Sequence, residues 1–254
     1  MVEGGMEDCL HRRKDARRWW RDGLVKRRAI CGMWFLVVAD GAKSKIRTAL
    51  RPDGTLDFAA ALCLAGTYRK PDGLPAIIQQ DFGVAVDGDG HNLFVSPIHR
   101  RSAVWSVGYL ISEPSTPPHG DEALRRQEEV MTEALERGKA FAEPVQSLVR
   151  ATGARTLMIF SAIDKAPVNH SEHTGRRPVF IGEAHHAVSP FAGNGANMAL
   201  MNGIDLAGAP MREANWTSAV ATFDAESIPR SKGAIQQSHS AIRVAHSKAW
   251  SWFW

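Results

Sequence analysis

Cysteine is scarce in this chain, and its pattern excludes two kinds of protein. The 254 residues contain 3 cysteines, Cys9, Cys31 and Cys63, whose number is odd and whose spacing is unlike that of metal ligands. A disulfide scaffold and a structural zinc site are therefore not expected. Long apolar runs are missing too, since the longest, Met33–Ala39, is far too short to cross a bilayer. No signal peptide is recognised at the start of the sequence. A reducing, cytoplasmic location is the default expectation.

Side-chain constellations typical of catalysis are also missing. The sequence has no Ser/His/Asp arrangement and no carboxylate pair at catalytic spacing, so we nominate no catalytic acid or base. His185 and His186 follow His170 and His173, but adjacent side chains in an extended loop point apart. Because they rarely chelate one ion together, we predict no metal site and a structural role for His186.

Positive charge is confined to the beginning of the chain. Residues 1–30 hold 9 Lys/Arg and 5 Asp/Glu, an excess that equals the net charge of +4 of the whole chain. We expect a basic N-terminal extension that is exposed, although residues 11–28 with Trp19 and Trp20 leave nucleic-acid or membrane binding as an alternative. We expect the aromatic end, with Trp250 and Trp254, to pack on its own domain, with membrane or partner docking as the alternative.

One segment carries most of the functional information. Residues 179–207 read VFIGEAHHAVSPFAGNGANMALMNGIDLA. A short strand (Val179–Ile181) leads into Gly182-Glu183, a loop of small residues, and then Gly193-Asn194-Gly195 before a helical pattern from Ala196. Such a turn points backbone N–H groups and the positive end of a helix at an anion or a polar ring edge. Glycine lets a flat ligand approach the backbone, and an acid after a strand accepts hydrogen bonds from ribose.

This segment resembles the second flavin-binding motif of class A FAD-dependent monooxygenases, the family of p-hydroxybenzoate hydroxylase. That motif is typically Gly-Asp-Ala-Ala-His-Pro-x-x-Pro-x-x-Gly-x-Gly-x-Asn. The chain departs from it at Glu183, His185 and Ala187. It matches at Gly182, Ala184, His186, Pro190, Gly193, Gly195 and Asn197.

The resemblance implies a role for each matched position. Glu183 would contact the FAD ribose, and Pro190 would lie near the reactive edge of the isoalloxazine ring. Gly193, Gly195 and Ala196 would offer N–H groups to the ring oxygens. Gly182 would form the turn, and Asn197 would bond the flavin or cap the helix.

A second segment, FLVVADGAKSKIRTAL at residues 35–50, is similar to the Asp-Gly motif of the same family. A buried strand ends in a tight turn, and basic residues then open a short helix. Asp40, Gly41, Ser44 and Arg47 are in register with Ala-Asp-Gly-x-x-Ser-x-x-Arg. The family motif touches FAD and the nicotinamide cofactor, so Asp40, Gly41 and Arg47 are predicted cofactor residues.

The Gly-x-Gly-x-x-Gly unit that opens this family is not found before Asp40. Residues 88–92 (GDGHN) imitate it, but they lie between two strand patterns and predict a hairpin turn. We therefore expect the chain to correspond to the later part of the family fold, as a truncated protein or one whose upstream coding segment is missing.

The remaining patterns predict a sheet and several helices. We expect strands at Ile77–Gln80, Phe82–Val86, Leu93–Val95, Val104–Ile111 and Leu157–Ser161, and helices beginning at Asp121, Val145 and Thr217. A break is predicted at Ser227–Lys232, followed by a helix from Gln236. Tyr68 and Trp105 are expected to pack in the core rather than to line a substrate pocket.

Together, these patterns predict an α/β (α+β) protein with an incomplete FAD-binding Rossmann-like layer, an antiparallel substrate-side sheet and C-terminal helices. The FAD-binding part is assigned to residues 31–60 and 155–254, and the substrate-side sheet and helix to residues 61–154. The resemblance implies NAD(P)H-dependent hydroxylation of a small organic, possibly aromatic, substrate through a flavin C4a-hydroperoxide. The alternative is a truncated, non-catalytic remnant that binds flavin weakly or not at all. No nucleic-acid partner is expected.

Overall fold

The computed structural model describes residues 36–69, 73–115, 121–170 and 178–248. The basic extension of residues 1–30, His173 and the aromatic end from Trp250 to Trp254 lie outside the described residues. The strands are β1 (Val37–Val38), β2 (Asp57–Arg69), β3 (Gly83–Val86), β4 (His91–His99), β5 (Ser102–Leu110), β6 (Met158–Asp164) and β7 (Val179–Phe180). The helices are α1 (Lys45–Leu50), α2 (Asp121–Arg137), α3 (Val145–Arg150), α4 (Gly195–Arg212) and α5 (Trp216–Ala245).

The chain divides into two compact units. Of the described residues, the first unit contains those up to Leu56, within Lys165–Val188 and within Asn194–Ala234. The second contains those within Asp57–Asp164, Ser189–Gly193 and from Ile235 onward. The segment that resembles the flavin motif therefore contributes residues to both units.

The first unit is built on a parallel strand pair. β1 pairs with β7, with Val37 opposite Val179 and Val38 opposite Phe180. Val38 and Phe180 are buried together with Ala184. A second apolar cluster joins Val179 to side chains of α4 and α5, among them Leu206 and Phe223. Val38 and both residues of β7 are buried, which accounts for their apolar character, whereas Val37 is 37% exposed.

The second unit is a five-stranded antiparallel sheet in the order β3-β4-β5-β2-β6. One face, which carries Leu64, Trp105 and Val107, packs on apolar residues of α2 and α3 such as Ala134 and Leu148. The predicted hairpin turn at residues 88–92 is confirmed, since it joins β3 to β4. The predicted mixed α/β fold class, with an antiparallel sheet and C-terminal helices, is likewise confirmed.

Two local predictions are wrong. Residues predicted as a strand at Ile77–Gln80 form a 3₁₀ turn, Ala76–Ile78, that buries Ile78. The predicted break at Ser227–Lys232 does not occur, because α5 continues through Pro229. Buried side chains lie on both sides of this proline, from Phe223 to Ala234. Packing of this kind supplies more stability than the ~3 kcal/mol that an internal proline costs a helix.

Candidate functional site

Gly182 begins the turn that the sequence singled out, and its conformation requires glycine. Its φ is +56°, in the left-handed region. A Cβ at this position would lie 3.1 Å from Cβ of Ala199, because α4 passes close to the turn. The N–H of Gly182 donates to Oδ1 of Asn202 on α4 at 3.0 Å. The start of the turn is therefore fixed to the helix that follows it.

Asn202 is also the partner of His186. Nε2 of His186 lies 2.7 Å from the same Oδ1, so the ring nitrogen donates and the amide oxygen accepts two hydrogen bonds. Both side chains are almost fully buried. Burial lowers the pKa of His186, which keeps the ring neutral. The predicted structural role of His186 fits this geometry, in which its partner is the side chain of Asn202.

Arg47 connects the two motifs. Its Nη1 donates to the carbonyl of Glu183 at 3.2 Å and to that of Ala184 at 2.9 Å, and its Nη2 donates to the carbonyl of Ala42. Burial lowers the pKa of the guanidinium, and nearby Asp40 opposes this effect. Arg47 thus holds α1 against the turn. Its predicted contact with a cofactor stays a prediction.

The rest of the Asp-Gly motif shapes the beginning of α1. Ser44 is fully buried and caps this helix by accepting a hydrogen bond from the N–H of Arg47 at 3.0 Å. Asp40 is exposed and accepts from the N–H of Lys45 at 3.1 Å. Gly41 has a φ of +84°, and the space where its Cβ would lie is empty. Asp40 and Gly41 are therefore accessible to a ligand, whereas Ser44 is not.

The first residues of α4 are open in the way a cofactor cradle requires. Ala196 and Asn197 are exposed, and the side chain of the N-cap residue Asn194 does not make the capping hydrogen bond to this helix. The Glu183 side chain is also exposed, and its Oε1 lies 3.6 Å from where a Cβ of Gly195 would be. An acidic side chain beside a helix N-terminus is favourably placed in the field of the helix dipole. Glycine at position 195 leaves the backbone N–H groups accessible.

The loop Ser189–Gly193 belongs to the second unit. Pro190 is exposed and begins a 3₁₀ turn that closes with a 2.9 Å hydrogen bond from the N–H of Gly193 to its carbonyl. Gly193 has a φ of +65°, with empty space where its Cβ would lie. Ser189 is buried, and its N–H donates to Oδ1 of Asp164 at 2.6 Å. The loop therefore presents Pro190 and Gly193 from a fixed base.

A buried histidine cluster lies behind the turn in the first unit. His170, His185 and Asp224 each offer a ligand atom within 4.8 Å of the others, an arrangement that can hold a metal ion. However, Nε2 of His170 accepts from the N–H of Phe180 at 2.9 Å, so its Nδ1 carries the proton and donates to Asp224 at 2.6 Å. A metal on Nδ1 would displace this proton and leave an imidazolate. The bonds favour a structural cluster, and the absence of metal stays a prediction.

His185 is held neutral within this cluster. Its Nε2 donates to the carbonyl of Val168 at 2.8 Å, and its ring centre lies 4.6 Å from that of His170. Burial, together with His170, lowers the pKa of His185 to about 3. The departure from the family motif at this position therefore places an extra imidazole in the scaffold behind the turn.

The sheet of the second unit offers one partly open face. Tyr68 and Trp105 are buried on the core side, as predicted. On the opposite face, strand register places Phe94 beside Ser106, and Phe160 in the next row. These three side chains are half-buried. This face therefore carries aromatic side chains that are partly accessible to solvent.

Comparison with curated proteins identifies relatives. No protein-family profile matches the chain. Monooxygenase cfoF of Aspergillus candidus is 37% identical over 227 residues, which are 89% of this chain and 53% of that protein. FAD-dependent monooxygenase aptC of Emericella nidulans is 25% identical over 243 residues, 86% of this chain and 57% of that protein. The chain spans about half the length of the curated relatives it matches.

Solved structures share the fold. Klebsiella pneumoniae HpxO, complexed with FAD and uric acid, has a TM-score of 0.67 and 19% identity over 84% of this chain and 52% of that one. The 2,6-dihydroxypyridine-3-hydroxylase of Arthrobacter nicotinovorans has a TM-score of 0.67 and 15% identity over 84% and 58%. In the described part of the chain, no helix is long and apolar enough to span a membrane. The resemblance predicted from the two motifs is confirmed by these relatives.

Proposed function

Because the chain is a relative of the class A FAD-dependent monooxygenases, we propose that it binds FAD and takes part in oxygenating a small organic molecule. The proposal depends on one observation: the turn residues predicted to contact the flavin are exposed, and the residues that hold the turn in place are buried. Positions predicted to meet the flavin, such as Glu183, Pro190 and Asn197, are exposed, whereas His186 and Ser189 are buried and hold the backbone. The exposed start of α4 offers backbone N–H groups that can donate hydrogen bonds to an anion or to a polar ring edge.

The residues at the turn are compatible with FAD. Glu183 would accept hydrogen bonds from ribose, since its carboxylate is exposed beside the helix end. Gly195 and Ala196 would donate backbone N–H groups to polar edges of the ring. Gly193 would let the ring approach the backbone, because the space above it is empty.

The Asp-Gly motif would serve the same cofactor. Asp40 and Gly41 are accessible, and Gly41 again leaves empty space where a side chain would be. Arg47 would act mainly by holding α1 against the carbonyls of Glu183 and Ala184. We propose NAD(P)H as the reductant, on the strength of the family resemblance of this motif.

Bound FAD would supply the oxygen chemistry, and this chain would supply position and a dry environment. We assign no acid or base to the turn itself. For the substrate we propose a small, flat, aromatic compound that contacts the half-buried face with Phe94 and Phe160. Two structural relatives are complexed with ligands of this size, HpxO with uric acid and PqsL of Pseudomonas aeruginosa with 2-aminobenzoylacetate, which supports the proposal.

Flavin binding is tested directly with the purified chain. We expect added FAD to remain with the protein after gel filtration and to give a stoichiometric visible flavin spectrum. Gly195→Leu would place a side chain over the helix end and weaken FAD binding by about tenfold or more. The matched control is Gly203→Leu on the same helix, where no atom lies within 4 Å of the added Cβ. Equal FAD affinities of the two variants would contradict the proposed site.

A second candidate is a chain that keeps the fold without retaining flavin. It is favoured by an exposed apolar stripe on α4, where Leu200, Ile204 and Met211 are 68%, 71% and 88% exposed. Patches of this kind are normally covered by another surface. A colourless preparation that cannot be reconstituted with FAD would support this candidate over the enzyme.

A further inference from the structure

Asp164, at the end of β6, joins Ser189 of the motif loop to His239, a residue that lies outside both flavin motifs. Its Oδ1 accepts from the N–H of Ser189 at 2.6 Å, and its Oδ2 accepts from Nε2 of His239 at 2.6 Å. The carboxylate is nearly completely buried, whereas the His239 side chain is 46% exposed. Each oxygen therefore has one strong donor, and the plane of the carboxylate is set by both.

Ser238, the residue before His239, binds the other side of the same peptide. Its Oγ donates to the carbonyl of Ser189 at 2.8 Å, and its Oγ lies 2.5 Å from Oγ of Ser189. Both backbone groups of Ser189 are thus bonded to side chains, Asp164 on one side and Ser238 on the other. The next residue is Pro190, whose φ is fixed by its own ring. The direction in which the loop leaves Ser189 is therefore determined by these contacts.

We propose that His239 is a positioning residue: through Asp164 it fixes the backbone of Ser189 and hence the loop that carries Pro190 and Gly193. The consequence for flavin placement rests on the proposed function. Core packing does not account for His239, because about half of its side chain is exposed while its Nε2 bonds a buried carboxylate. Without this donor, Oδ2 of Asp164 would have to be solvated by water, and the carboxylate could rotate away from the Ser189 N–H.

The test compares His239→Ala with His239→Gln by residue-resolved hydrogen exchange. Removal of the donor is expected to raise the exchange rate of the Ser189 N–H about tenfold, the size typical of losing a charge-assisted hydrogen bond near the surface. Glutamine restores a donor at the position of Nε2 and is expected to return the rate to within about twofold of the original. Gln236→Ala, an exposed change on the same helix, is the matched control.

The proposal is overturned if His239→Ala leaves exchange at Ser189 unchanged, or if glutamine fails to restore it while urea unfolding shows both variants equally folded. Flavin binding provides a separate measurement. We expect His239→Ala to weaken FAD binding about threefold or more and glutamine to rescue it. If the unmodified chain binds no FAD, the proposed function fails, while the exchange rates still decide whether His239 positions Ser189.

Discussion

His185 makes acid sensitivity a direct test of the buried histidine cluster. Its ring is 2% exposed, donates to the carbonyl of Val168 and lies against His170. Burial and the neighbouring imidazole lower its pKa from 6.5 to about 3. The folded chain therefore keeps His185 neutral in a range of pH where the unfolded chain would protonate it. We expect His185→Gln to remove the contribution of this residue to the pH dependence of stability, since glutamine does not titrate. The glutamine amide can still donate to the carbonyl of Val168.

The sign and size of the effect follow from linkage. Because the pKa is lower in the folded state, the stability contribution of neutral His185 is complete above pH 6.5 and is lost as the pH falls toward 3. At pH 5, about 1.5 units below the pKa of an unfolded histidine, protonation of His185 stabilises the unfolded chain by about 2 kcal/mol relative to the folded chain. Lowered pKa values of His186 and His246 add to the same trend, so His185→Gln is expected to reduce the pH dependence without eliminating it.

The assay is urea unfolding of both proteins between pH 7.5 and pH 5. At pH 7.5 we expect the variant to be less stable by about 1 kcal/mol, because ring contacts with His170 are lost. At pH 5 the difference should disappear or reverse, since only the original chain has lost the additional ~2 kcal/mol. Gln236→Ala, an exposed change on α5 that removes no titrating group, should leave the pH dependence as it was. Parallel stability curves for the original chain and His185→Gln would refute the account of a neutral, buried imidazole.

Two further substitutions test the scaffold. Asn202→Leu removes the acceptor shared by Gly182 and His186 and should lower the free energy of unfolding by about 2–5 kcal/mol. Asn202→Asp keeps an acceptor and should lower it less. Chemical denaturation measures the free energy of unfolding of both variants. Gly66→Ala would place a Cβ 2.7 Å from Cγ2 of Thr152 and 2.9 Å from Cζ2 of Trp105, so thermal melting should show a loss of about 1–3 kcal/mol.

The turn could be predicted from the sequence because its requirements are local. Gly41, Gly182 and Gly193 all have positive φ values, and each had been singled out by its place in a motif. The longest strand, β2, was not predicted. Its sequence, DFAAALCLAGTYR, is rich in alanine and leucine and lacks the alternation of a half-exposed strand. It lies between β5 and β6 with most of its middle buried, so its strand character comes from neighbours that the local sequence does not contain.

The residues that support the site were harder to predict than those predicted to meet the ligand. Asn202, Asp164 and His239 lie 16 to 75 residues from the groups they bind. Nothing in a motif indicates such pairs. Asn202 did leave one signal, a polar residue in the apolar helix sequence ALMNGIDLA, since a buried amide must find a partner. Arg47 was singled out as a cofactor residue, and only the fold shows that its guanidinium binds carbonyls of the turn.

Because exposed and buried residues alternate so closely in this turn, stability and flavin binding are expected to respond to different substitutions. Leucine at Gly195 projects from an exposed helix end and should leave the free energy of unfolding within about 1 kcal/mol of the original while weakening FAD binding. Leucine at Asn202 leaves Gly182 and His186 without an acceptor and should destabilise the fold first. A well-folded preparation is therefore compatible with either candidate function. Flavin retention by the original chain, measured beside these two variants, is the observation that separates an oxygenase from a fold that has kept only its scaffold.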